Sequence, residues 1–306
     1  MPSTLFIRDQ LEYVQQQVVE QDFPEKLMAA GTILNISTEI PRGAETYAYR
    51  ILTLLGEAAV LANGADDIPL VNAYAEKRSG FVRTFVNGYE YTVEDMESAE
   101  FAGMSLDAQM AIAAREVLET KYDLTGYDGD SNFNLLGMIN HPNVPSYTIP
   151  NDGTGTTTTW STKTPEQVYR DLRNFASATR IATNGVENPQ VIILPIAQFD
   201  LIAGTPYPAA DASDTILSFF LKTQRMTPQG VQTVLPVAYL AGKGAGGTDL
   251  MISYTKRQDK VKLHMPLDFT MEPVQVRNFS YRVPCRMRSG GVQVNKPLSL
   301  RYASGI

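Results

Sequence analysis

Two strand-forming runs, 44–56 (AETYAYRILTLLG) and 70–92 (LVNAYAEKRSGFVRTFVNGYEYT), bracket the turn-rich AVLANGADDIP. This excursion constrains the chain more than any other feature. Tyr, Val, Phe and Thr dominate both runs, the residue types that suit a pleated surface. Asn63-Gly64 and Asp66-Asp67-Ile68-Pro69 between them are turn chemistry. The chain therefore runs out and back with little material for a core of its own.

The remainder has ample material for a core. The chain holds 306 residues, 43% of them hydrophobic, enough for one elaborated domain or two ordinary ones. No run approaches ~20 consecutive apolar residues, so no transmembrane helix is expected. The N-terminal MPSTLFIRDQLEYVQQQ lacks the apolar stretch of a signal peptide. Cys285 is the single cysteine, which excludes an internal disulfide framework and a thiolate-rich zinc site. His141 and His264 lie far apart, with no nucleophile motif beside either. Neither a metal nor a cofactor is expected.

Net charge is −7, and its distribution is polar. Residues 1–100 carry 7 Lys/Arg against 16 Asp/Glu, a balance of −9, whereas residues 256–306 carry 10 against 3, a balance of +7. Such polarity suits either a nucleic-acid-binding end or two ends that meet in an assembly.

Along the chain, residues 4–21 read as a short amphipathic helix that has to dock on its own body or on a neighbour. Thr92, with Asp95 three residues on, marks a helix start. Ser105 can cap a longer helix over 105–126, about 33 Å at 1.5 Å per residue. Leu106, Met110, Ala113, Val117 and Leu124 are expected on its apolar face, and Gly126, Gly129 and the DGDSNFN segment end it. Thr164-Pro165-Glu166 opens another helix. PQVIILP reads as a buried strand and 214–224 as a short helix, within a compact α/β block over 141–258. GVQTVLPVAYLAG and TDLMISYTK flank a glycine-rich turn, most simply as a hairpin. From Phe279 to Met287 the alternation predicts Phe279, Tyr281, Val283, Cys285 and Met287 on a core face, with Cys285 an inert small hydrophobe. Arg282, Arg286 and Arg288 form a stripe on the other face. Pro284 predicts an edge or bulged strand, and Gly290-Gly291 turns the chain into a final strand, VQVNKPLSLRY.

The chemical motifs dissolve on inspection. Gly242, Gly244 and Gly247 have dinucleotide-loop spacing, but a strand-like segment follows instead of a helix, and Lys243 does not complete a phosphate-binding loop. Asp128, Asp130 and Asn132 begin like a calcium loop, yet Phe133 and Ile139 stand where Gly and Glu are required. Asp66 and Asp67, being adjacent, point to opposite faces of an extended chain and read as turn or inter-subunit charge. The arginine stripe lacks base-stacking aromatics, so ion pairing to an acidic neighbour is preferred over nucleic acid.

The order of elements resembles the major capsid proteins of tailed phages, with the Hong Kong 97-type fold also shared by encapsulin shells. Gly64-Ala65-Asp66-Asp67-Ile68-Pro69 resembles the ADDIP signature of one phage branch. Tyr89 through Thr92-Val93-Glu94-Asp95 to Gly103-Met104-Ser105-Leu106-Asp107, then Ala113-Ala114-Arg115, resembles its approach to the long helix. Gly126-Tyr127-Asp128-Gly129-Asp130 leading to Leu135-Leu136-Gly137-Met138-Ile139-Asn140 resembles its exit. Tyr281-Arg282-Val283-Pro284 and Gly290-Gly291-Val292-Gln293-Val294 resemble its closing strands.

The resemblance implies an α+β fold with an N-arm (1–38), a P-domain entry (39–47), an extended E-loop (48–87), a P-domain with a spine helix (88–140), an A-domain (141–258) and P-domain C-terminal strands (259–306). It implies a structural, non-enzymatic subunit that self-assembles into hexamers and pentamers of an icosahedral head around double-stranded DNA. The protein would reside in the virion after assembly in the host cytoplasm, without a membrane and with separate scaffold, portal and decoration proteins as possible partners. Gly242, Lys243, Gly244 and Gly247 become a candidate axial loop. Asp66, Asp67, Lys77, Arg282, Arg286 and Arg288 become candidate inter-subunit contacts. Some members crosslink through an E-loop lysine and a P-domain asparagine; here Lys77 is the lysine, with Asn278 and Asn295 the nearest candidates by region. Reversing the three arginines to Glu is expected to impair assembly more than folding. The competing readings are a cargo-holding compartment shell of the same fold and a metal-dependent hydrolase using Asp66, Asp67, Asp128 and Asp130.

Overall fold

The computed structural model describes residues 25–58, 70–101, 106–208, 214–226 and 230–306. The expected helix at 4–21, Asp66, Asp67 and Ser105 lie outside them. After β1 (Asn35–Ser37), the excursion forms an antiparallel hairpin of β2 (Thr46–Leu55) and β3 (Asn72–Phe81), in register from Thr46↔Phe81 to Leu55↔Asn72. The next strand, β4 (Arg83–Thr92), belongs to the body, so the excursion ends before residue 87. Alternate residues of β4, among them Phe85, Tyr89 and Tyr91, pack on the main core, and this burial pulls the strand out of the hairpin.

Thr92 and Asp95 make the expected reciprocal cap of α1 (Val93–Phe101): each backbone N–H donates to the other's side chain, at 3.0 and 3.1 Å. The long helix α2 (Leu106–Asp128) has 23 residues and ends on Gly129, whose φ of 69° a side chain would resist. Its buried row is Ala114, Leu118, Tyr122 and Thr125, which corrects the expected face. Leu106 and Met110 lead into this row, but Ala113, Val117 and Leu124 are exposed, Val117 at 59%. Both rows have helical spacing. The sheet takes the one that ends on the large Tyr122 ring, which is fully buried.

Beyond β5 (Ser146–Thr148), a second core gathers around α3 (Pro165–Ala182), β6 (Val191–Leu194), α4 (Ile196–Gly204), α5 (Ile216–Arg225), β7 (Thr233–Pro236) and β8 (Leu250–Tyr254). Thr164 and Gln167 form a capping box ahead of α3, and Thr215 with Ser218 repeats it ahead of α5. Trp160, Leu172, Phe175 and Phe220 are fully buried between helices and sheet. Lys163 and Asp171, both with fully buried side chains, pair at 2.6 Å and clamp the threonine-rich loop onto α3.

The sheet order is β5-β14-β8-β6-β7, which corrects two expectations. β7 and β8 are not a hairpin, because β6 lies between them, parallel to β7 and antiparallel to β8. The four apolar residues of β6 are all buried, and that position suits a strand covered on both faces. Secondly, VQVNKPLSLRY is two strands, β13 (Gly291–Val294) and β14 (Leu300–Ser304), split by a 3₁₀ turn at Pro297–Ser299. β14 leaves the other C-terminal strands and inserts beside β8 in the lobe sheet.

The main body carries β9 (Val261–His264), β10 (Leu267–Met271), β11 (Gln275–Arg277) and β12 (Ser280–Ser289). β12 is interior, correcting the expected edge: β4 pairs along its whole length on one side, and β10 then β11 on the other. The Pro284 carbonyl accepts from the Glu272 N–H at 2.8 Å, and a strand residue's N and C=O point to the same side. The missing donor therefore faces the gap where pairing passes from Met271↔Cys285 to Gln275↔Arg282. Val283, Cys285 and Met287 face the core as expected, but Phe279 is 82% exposed. It sits in the β11–β12 turn beside Asn278, whose φ is 51°, before the alternation begins.

Candidate assembly surfaces

The hairpin has no fully buried residue among its described positions. Leu52 is 68% and Leu54 72% exposed, with Leu55, Leu70, Val71 and Tyr74 also open. Contiguous exposed apolar surface of this kind marks an interaction site. Register and pleat sort its residues. Arg50, Leu52 and Leu54 share one face with their partners Lys77, Ala75 and Ala73. Tyr47, Tyr49 and Ile51 lie on the other, with Arg78 and Glu76, which pair at 2.9 Å. Lys77, singled out from sequence, thus stands opposite Arg50, and neither forms an ion pair among the described residues.

One residue ties the hairpin base to the body. The Tyr47 hydroxyl donates to the Gly290 carbonyl at 3.1 Å, and its ring lies 4.6 Å from the His264 ring. A Cβ on Gly80, its cross-strand partner, would run into the Tyr47 ring. Burial drives the Tyr47 phenol above its ordinary pKa range and holds the His264 imidazole below its own. His264 Nε2 is 2.5 Å from Gln293 Oε1. A Tyr facing a strand Gly is a signal readable in sequence, but only once the register is known.

The arginine stripe has partners on its own chain. Arg282 meets Glu90 of β4 at 2.9 Å, and Arg286 meets Glu272 at 2.5 Å. Arg288 donates to the Arg42 carbonyl and, at 2.9 Å, to that of Ala44. The Ser280 hydroxyl and then the Arg282 guanidinium hold the Glu90 carboxyl below the usual carboxylate range. Lys262 does the same for Glu39. Acidic early residues and basic late ones do meet within one chain: Glu90 and Arg282 across the β4–β12 pair, and Glu39 and Lys262 beside the β1–β9 pair.

The Gly242–Gly247 turn does not stand free. Lys243 Nζ lies 2.7 Å from Asp128 Oδ2 at the end of α2 and 4.3 Å from the Tyr239 ring centre, while Asp249 accepts the Gly242 N–H at 3.0 Å. These contacts pin the turn to the body. Asp130 caps the turn Ser131–Phe133 and lies 3.5 Å from Lys121. The carboxylates proposed for hydrolysis are thus engaged in structural contacts where they are described. No group of three or more His, Cys, Asp or Glu among the described residues is placed to hold a metal. Cys285 is buried and free, and no described helix is long and apolar enough to cross a membrane.

A further surface escaped the sequence reading. α1 (VEDMESAEF) buries none of its residues; Met96 is open and Phe101 is 96% exposed. The Val93 N–H bonds the Phe279 carbonyl at 3.0 Å, so the exposed Phe279 turn adjoins it.

Comparison with solved structures places this architecture among capsids. The capsid of Myoviridae phage XM1 superposes with a TM-score of 0.82 at 17% identity, covering 100% of both chains. The capsid of a native GTA particle gives 0.66 at 7% identity, covering 96% of this chain and 94% of that one. A virus-like particle from Pyrococcus furiosus gives 0.57 at 10% identity, with 89% of each chain covered. No curated protein matches significantly by sequence. The family model for the major capsid protein matches residues 56–306, from the hairpin to the C-terminal strands, and the chain belongs to the major capsid protein family.

Proposed function

We propose that this chain is the shell subunit of a tailed-phage head, forming hexamers and pentamers that close into an icosahedral shell around double-stranded DNA. The observation that carries this reading is the β2–β3 hairpin, an ordered apolar arm with no core beneath it. Such an arm gains its burial energy only on another subunit. Heterologous contacts of this type close into rings, and many modest contacts sum to a stable shell. In this reading the hairpin is the E-loop, residues 1–38 the N-arm, and α2 the spine helix of the P-domain. The 141–258 block, joined by β14, is the A-domain. The net charge of −7 suits a container that does not adhere to its DNA.

Assembly takes place in the host cytoplasm, with a separate scaffold protein or without one, and the product resides in the virion. The purified chain, alone or with a phage scaffold protein, is expected to give closed shells by electron microscopy. Particles from infected cells are expected to hold nuclease-protected double-stranded DNA. A stable monomer under all conditions, with no shells, overturns the reading.

A further inference from the structure

The hairpin face that carries Arg50 and Lys77 lacks a counterpart among the described residues, yet the chain holds a surface of complementary chemistry. Like charges directly opposite each other destabilise a sheet, and the Arg50–Lys77 register pair has no ion pair among the described residues to relieve it. On the same face Leu52 stands opposite Ala75 and Leu54 opposite Ala73. The face is therefore cationic near its base and apolar toward its tip.

α1 is the converse. Its nine residues include Glu94, Asp95, Glu97 and Glu100, with no Lys or Arg and no buried side chain. Asp95 is committed to the cap, but Glu94, Glu97 and Glu100 form no ion pair among the described residues. Glu94 and Glu97 share a helix face with Phe101. Glu94 lies about 10 Å from Phe101 along the axis at 1.5 Å per residue. Arg50 lies about 13 Å from Leu54 at ~3.3 Å per residue. Charge and apolar surface follow one another in both patches over similar lengths.

The two patches do not meet within one subunit. The hairpin leaves the body at the Arg83 end of β4 and α1 begins at the Thr92 end, about 30 Å away at the rise of an extended strand. Leu52, Leu54 and Phe101 all stay exposed. Resting on the reading of the hairpin as an inter-subunit arm, we propose that the Arg50/Lys77 face docks on α1 of an adjacent copy. The two cations sit against Glu94 and Glu97 there, and Leu52 and Leu54 cover Phe101.

The test uses the full chain assembled into particles. Lys77→Cys together with Glu97→Cys is expected to give a ladder of covalent multimers on a non-reducing gel after oxidation. Either cysteine alone leaves the chain monomeric on that gel, since Cys285 is buried. Arg50→Glu with Lys77→Glu is expected to abolish sedimentable shells while leaving the melting temperature of the subunit unchanged. Adding Glu94→Lys and Glu97→Lys is expected to restore them. Particles that form without a ladder overturn the docking but leave the shell reading intact, as does a charge reversal that is harmless or not rescued. Failure of the wild-type chain to form particles overturns the shell reading, and this docking with it.

Discussion

The hairpin and the 141–258 lobe draw on the same kinds of residue and use them in opposite ways. In the lobe, β6 (VIIL) is buried at every position and Trp160, Leu172 and Phe175 are sealed between helices and sheet. In the hairpin, Leu52, Leu54 and Tyr74 reach into solvent. The difference is layering: the lobe has helices to cover its sheet, while the hairpin beyond its Tyr47 base is two strands that no described helix or sheet covers, marginal in water when alone. Apolar content thus measures the need for a partner and leaves open whether that partner lies in the same chain.

The comparison is broken most severely inside the lobe. Leu172→Ala is expected to destabilise the subunit by about 2–5 kcal/mol, read as a lower denaturant midpoint. Asp171→Ala removes the 2.6 Å partner of the buried Lys163, which keeps Asp152 at 3.1 Å, and is expected to cost about 1–3 kcal/mol. Failure of either to lower the midpoint would show that the lobe is not the stability centre.

Tyr47→Ala acts where the two regions meet. The hairpin is expected to exchange its amide hydrogens faster while the lobe keeps its protection. Equal protection in both would show that the Gly290 and His264 contacts do not hold the hairpin.

Acid probes the same joint more gently. His264 is kept neutral in the fold chiefly by burial, with Gln293, Lys262, Glu39 and the Tyr47 ring around it. The unfolded chain, with an imidazole pKa near 6.5, takes up the proton first. Subunit stability is therefore expected to fall as pH drops below about 6.5. His264→Gln is expected to remove part of that slope in pH-dependent melting, because burial also depresses His141. An unchanged slope would show that His264 does not contribute.

The smallest effect on the fold belongs to Leu54→Ala. With the side chain exposed, subunit stability is expected to stay within about 0.5 kcal/mol, while the yield of shells falls. A clear loss of subunit stability would mean that the hairpin packs on its own body after all.

The element order, the helix starts at Thr92 and Thr164, the buried run at β6 and the inward row Val283, Cys285 and Met287 were all legible without coordinates. Each is written in local spacing or capping chemistry. The burial face of α2 was not: the rows through Val117 and through Leu118 are both apolar, and only the sheet beneath selects one. The partners of Arg282 and Arg286 were hidden for the same reason. Glu90 is 192 residues from Arg282, and only the β4–β12 register brings them together. The Arg50–Lys77 pair depends in turn on the register of the hairpin.

By itself, then, the sequence determined that residues 44–56 and 70–92 would form strands and that the helix opening at Thr164 and the apolar run of β6 would pack as an α/β block. Propensity, turn residues and period-two or helical spacing are local properties, and these suffice. The tertiary structure alone decided that β4 joins the body, that β14 crosses into the lobe sheet and that Arg282 and Arg286 pair with Glu90 and Glu272 of the same chain. Those outcomes depend on which distant strand supplies the matching hydrogen bonds and burial, and no local pattern carries that information.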